Sequence, residues 1–170
     1  MKIIICILFI YTNFIFGQED YSDSLFSVHK VENKLKINRF STRTIQTVML
    51  NEINKQRLEL KLNILDIDSS LYKGAKSYSL YMLKNKKYEH SKIPEGYIEF
   101  IGHSKLNIKT ELDHKHLALQ ELLGFMQTDY HKSVLMNPNI KHIGIAMSAK
   151  LRKFDGEYYY DYYIVIHIYE

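Results

Sequence analysis

The chain has 170 residues, 46% hydrophobic and 25% charged, with a net charge of +4 at pH 7, which suits one domain able to bury an adequate core. Its single cysteine, Cys6, excludes an internal disulfide, a zinc ribbon and a two-cysteine redox motif. Lysines are interspersed with acids, so the cluster Lys84, Lys86, Lys87 reads as a solvated helix end, where cations complement the dipole, and not as a nucleic-acid surface.

Met1-Lys2 opens an apolar run over residues 3–16, closed by Gly17 and the polar Gln18-Glu19-Asp20. One positive charge, a short apolar stretch and a small residue before a polar break describe a signal peptide over residues 1–17. The run is shorter than the roughly 20 residues a membrane span needs. The expectation is a secreted, periplasmic or extracellular protein with no transmembrane segment after cleavage. Cys6 leaves with the leader, so a cysteine nucleophile is excluded too. Residues 18–40 are polar and weakly patterned and read as a leader, with a short strand near Leu35 to Ile37. Residues 41–170 then form one domain, because Pro94 and Pro138 are the only prolines and no linker divides it.

The first helix is expected from near Ser41 to near Leu60, with Ile45, Val48, Met49 and Ile53 on one face. Asp68 or Ser69 caps a second, whose apolar face is Leu71, Ala75, Tyr78 and Met82. It ends near Asn85 to Lys87, just before His90. Residues 91–109 are less regular, with a short extended piece at Tyr97 to Ile101. Thr110 and Asp113 suggest a capping box before a third helix marked by Leu119, Leu122, Leu123 and Met126. His131 lies past its end, and Asn137-Pro138 signals a turn.

The C-terminus is β. Ile143, Ile145 and Met147 alternate with small residues, and Asp155-Gly156 is a hairpin signal. Beyond it Tyr158, Tyr160, Tyr162, Ile164, Ile166 and Ile168 share one face; Tyr159, Asp161, Tyr163, Val165, His167 and Tyr169 share the other. A sheet apolar on both faces needs helices on both. The expected class is α+β: a three-layer α-β-α sandwich around a mainly antiparallel sheet.

At these residues the chain resembles the CAP or SCP superfamily, which includes cysteine-rich secretory proteins, antigen 5 and plant pathogenesis-related proteins. Leu50-Asn51-Glu52-Ile53-Asn54 with Arg57 resembles its "LNxxN…R" helix, and Leu62 to Leu71 its following link. Ala75, Tyr78, Met82 and Glu89-His90-Ser91 resemble its second helix and first histidine. Phe125 to Lys132 is similar to the bacterial "WmnSpgHR" motif, Ile143-Gly144-Ile145-Ala146 to "iGvG", and Tyr163 to Tyr169 to the closing strand. The resemblance spans residues 44–170 and implies the bacterial type without disulfides.

The resemblance also implies a cleft with two histidines and two acids. His90 and His131 match the histidines. The first acid is Glu99, Glu95 or, with the acid lost, His103. The second is absent, because Gln127 and Thr128 stand at its position; Glu121 lies one turn earlier. His167 borders the cleft or sits half-exposed on its strand. His90 and His131 with one carboxylate are plausible ligands for zinc or a similar divalent ion. His114 and His116 are no ligand pair, since i and i+2 diverge on a helix.

Catalysis has little support, with no Gly-x-Ser-x-Gly elbow and no His-Glu-x-x-His. The function expected is binding at a cleft of His90, Glu99, His131 and His167: a small apolar, lipid or cell-envelope ligand, or a partner protein. The alternatives are a metal-assisted hydrolase using His90 and His131, and a domain acting through its surface.

Overall fold

In the computed structural model, residues 42–107 and 114–169 are described, all within the unit Leu35–Glu170. The expected signal peptide, the expected leader with its short strand and the expected Thr110–Asp113 capping pair lie outside the described residues.

Helix α1, Thr42–Glu59, buries Ile45, Met49 and Ile53 at successive turns. The next position of that stripe is Arg57, fully buried. Its guanidinium donates to the carbonyls of Asn63 (2.7 Å), Leu135 (2.6 Å), Asn137 (3.0 Å) and Ile140 (3.1 Å). Asn54, one turn earlier, donates to the Leu65 carbonyl and accepts from the Leu65 amide. Asn54 and Arg57 of the "LNxxN…R" motif are therefore anchors: they satisfy loop backbone that burial would otherwise leave unpaired.

After β1, Asp66–Ile67, Asp68 caps helix α2, Ser69–Asn85, by accepting from the amides of Ser70 and Leu71, a contact worth about 1 kcal/mol. The helix ends at Lys86 in the left-handed conformation. Strand β2, Tyr97–Asn107, is twice the length the sequence suggests, since Gly102, Lys105 and Asn107 are poor strand formers. Residue-by-residue pairing with the last strand holds it extended. Helix α3, His114–Met126, is followed by α4, Asp129–Leu135. The sequence reading missed α4, because seven residues are too few to show a helical period. Strands β3, His142–Phe154, and β4, Glu157–Tyr169, form the hairpin.

The sheet order is β1-β3-β4-β2. Only β1–β3 is parallel; β3–β4 and β4–β2 are antiparallel. Ile143, Ile145, Ile164, Ile166, Ile168 and Phe100 pack against α1, α3 and α4. Ala146, Val165 and Tyr163, from alternate positions, pack against α2. The three layers are the α-β-α sandwich, and each such aliphatic side chain fully buried stabilises it by roughly 1.5–3 kcal/mol. At Gly144 the backbone of α2 at Leu71 and Tyr72 lies where a Cβ would stand, so only glycine lets the helix approach this closely.

Candidate functional site

Edge strand β2 brings the site together. Glu99 and His167 are register partners on the α2 side of the sheet, and both are buried. Glu99 Oε2 accepts from His167 Nε2 (2.9 Å) and Ser91 Oγ (2.7 Å); Oε1 accepts from the Ser91 amide (2.7 Å) and from His90 Nδ1 (3.1 Å). Burial alone would push this carboxyl up. The bonds from His167, Ser91 and His90 outweigh it and hold Glu99 at about 2. An ionised carboxylate only accepts, so each ring carries a proton on its bonded nitrogen. His90 Nε2 is then left to solvent or a ligand, on a side chain 65% exposed. A Cβ at Gly74 would stand 3.0 Å from His167 Nδ1, so this glycine in α2 makes room for the ring.

Of the three candidates for the first acid, Glu99 is the one bonded to His90; Glu95 is exposed. His103 belongs to a different group: its Nε2 bonds Asp161 Oδ1 (2.8 Å), its ring stacks on Tyr163, and Arg152 holds the other oxygen of Asp161. His167 is 7% exposed and not the half-exposed strand histidine that alternation suggested; covered by α2, it belongs to the Glu99 network.

His131 comes from the opposite side. Thr128 caps α4 by accepting from the His131 amide, and so holds a structural role at the position where the second acid was sought. The His131 ring lies 4.2 Å from Phe100, 5.5 Å from Phe125 and 5.7 Å from Tyr130 between centroids. Burial pushes its pKa below the ordinary histidine value; the Phe125 carbonyl opposes this and the field of His90 adds to it. Its Nδ1 is buried without a well-formed hydrogen bond among the described residues, and the Phe125 carbonyl is the polar group its ring approaches. Glu121 is elsewhere: its partly buried carboxyl accepts from the Tyr162 hydroxyl (2.7 Å), and desolvation raises its pKa against that bond and the field of His103.

Ser91 is the participant that sequence reasoning did not assign, although it adjoins His90; its side chain and amide both serve Glu99. Its hydroxyl donates to a carboxylate and not to an imidazole, so no Ser–His nucleophile is formed. A metal fits poorly. Both Glu99 oxygens are engaged, and no group of three or more His, Asp or Glu among the described residues converges to hold an ion.

A family model, Cysteine-rich secretory protein family (CAP), matches residues 50–167. Comparison with curated proteins finds no match. Among solved structures, an outer surface protein of Borrelia burgdorferi is similar at 19% identity and a TM-score of 0.50, over 77% of this chain and 96% of that one. The MpPR-1i structure is similar at 13% identity and a TM-score of 0.50, over 77% and 90%. NaASP2, solved with Zn2+, is similar at 12% identity and a TM-score of 0.51, over 74% and 78%. At these identities the likeness is one of fold.

Proposed function

We propose a binding function for this chain, which belongs to the cysteine-rich secretory protein (CAP) family: it holds a small apolar or lipid-like ligand that carries one hydroxyl or carboxyl group, at the cleft between His90 and His131. The observation that carries this reading is the wall of Phe100, Phe125 and Tyr130 around the His131 ring, whose Nδ1 makes no well-formed hydrogen bond among the described residues. Apolar walls with one or two placed polar groups are the usual make-up of a small-molecule site. A single polar group on the ligand would bond the His131 imidazole once the ring turns toward it, and the aromatic rings would cover its body. The Glu99 network supports this role by fixing His90 opposite. Export is part of the reading: the apolar leader supports it, and no described helix is long and apolar enough to cross a membrane.

The test is mass spectrometry of organic extracts from purified protein, followed by calorimetric titration with oleate and a long-chain alcohol. Wild type is expected to carry or take up such a ligand, and His131→Phe to lose at least about tenfold in affinity, the scale of one buried hydrogen bond. An empty cleft that takes up neither probe sinks the reading. Titration with zinc runs alongside. Tight binding abolished by His90→Ala with His131→Ala would favour a metal site instead.

A further inference from the structure

Helix α2 covers only part of its side of the sheet. It starts over Gly144, and its last turn reaches Arg152, whose Nη2 donates to the Leu83 carbonyl (3.3 Å). Strands β3 and β4 run on past that point. Lys105, Asp161 and Lys150 form one row across β2, β4 and β3; Asn107, Tyr159 and Arg152 form the next; Phe154 and Glu157 close the hairpin. All project on the α2 side, by the two-residue alternation of strands.

Among the described residues Asp161 is the only carboxylate in the middle of this surface, and its two oxygens are committed to His103 and Arg152. Lys105 and Lys150, its neighbours on either side, are exposed. Neither forms an ion pair among the described residues; the Lys105 ammonium lies over the Tyr159 ring at 5.2 Å. Glu157, farther out, accepts from Asn107. On the reverse side of the hairpin Lys153 lies over Tyr158 at 5.4 Å, and the neighbouring end of α2 carries Lys84 and Lys86. Beyond these cations Phe154 is 73% exposed. A tight turn with positive φ at Asp155 and Gly156 fixes its position at the strand end.

We propose that this end of the sheet docks the protein onto an anionic phospholipid surface, with Lys105 and Lys150 meeting headgroup phosphates and Phe154 entering the interface. Asp155 and Glu157 flank Phe154 at the turn, yet a bilayer offers in one place negative charge for two lysines without an ion pair among the described residues and an apolar layer for the exposed ring. A soluble polyanion supplies only the first. The surface is separate from the His90–His131 cleft, and vesicle binding reads it independently of ligand uptake.

The experiment is co-sedimentation of the purified full chain with vesicles of phosphatidylglycerol and phosphatidylcholine, against phosphatidylcholine alone. Binding is expected only with the anionic lipid and is expected to weaken as salt rises. Each of Lys105→Ala and Lys150→Ala should lower partitioning about fivefold, and Phe154→Ser should lower it at unchanged charge. Lys55→Glu, on α1, should bind as wild type does, and circular dichroism checks that every variant is folded. No binding to anionic vesicles, equal binding to both lipids, or full binding by the folded double lysine variant overturns the proposal. Competition by soluble polyphosphate together with wild-type binding by Phe154→Ser also overturns it, in favour of a polyanion site.

Discussion

The two faces of the sheet are made from alternate residues of the same strands, yet they are held by different physics. On the side of α1, α3 and α4 the contacts are aliphatic and aromatic, led by the isoleucines of β3 and β4. On the α2 side, buried polar groups are set among small and apolar ones: Ser79 with Ser148, Glu99 with His167, and Asp161 with Arg152. Of the buried polar residues described, all but Arg57 lie on this second side. An aliphatic face tolerates rearrangement within its volume, whereas a polar face specifies one geometry, because each unmade bond carries a full desolvation cost. The two family histidines divide between the faces: His90 is bonded to Glu99 of the polar one and His131 is packed against Phe100 of the apolar one.

Arg57 is the exception that tests this contrast hardest. Arg57→Met should cost about 4 kcal/mol, read by urea denaturation, because four carbonyls, those of Leu135 and Ile140 buried, lose their donor together. A cost near that of an ordinary apolar swap would mean that the side of α1 does not depend on its one buried cation. Gly144→Ala should follow at ~3 kcal/mol, since the new methyl meets helix backbone that cannot rotate away. An equal cost for Ala146→Gly, where only packing is lost, would blur the distinction.

Glu99→Gln should cost ~2 kcal/mol at neutral pH, because an amide turns a donor toward one of the four groups that now donate. This variant also carries a pH signature. Glu99 is held at about 2, below the ordinary 4.5, so its contribution is complete above about 4.5 and is lost as pH falls toward 2. Wild type should lose stability over that window, and Glu99→Gln should show a flatter profile there. Superimposable profiles would place the acid sensitivity elsewhere. His131→Phe should move stability by less than about 1 kcal/mol, since removing a nitrogen without a well-formed hydrogen bond offsets the altered fit. A large destabilisation, with ligand uptake unchanged, would make this ring part of the core and not of a site.

Particular residues show how far the sequence could be read. The alternation of β4 displayed two buried faces, and with the helical spacing of α1 and α2 it sufficed for the sandwich. Asp68 was legible as a cap because capping is local. Strand β2 and helix α4 were not, because long-range pairing and docking hold them against weak local preference. In the site, His90 and His131 were found by resemblance to family motifs. The choice among Glu99, Glu95 and His103 rested on register: pairing Glu99 with His167 puts the carboxylate beside the rings of His167 and His90, and a shift of one residue would turn it to the other face.

The sequence by itself determined the family, the layer order and the two histidines, because periodicity and local motifs are properties of neighbouring residues. Only the tertiary structure decided that Glu99 is saturated with hydrogen bonds, that His131 is packed among aromatic rings, and that Lys105 and Lys150 flank a carboxylate already taken. Those are facts about which groups compete for the same partner, and that competition exists only once distant segments have been brought into contact.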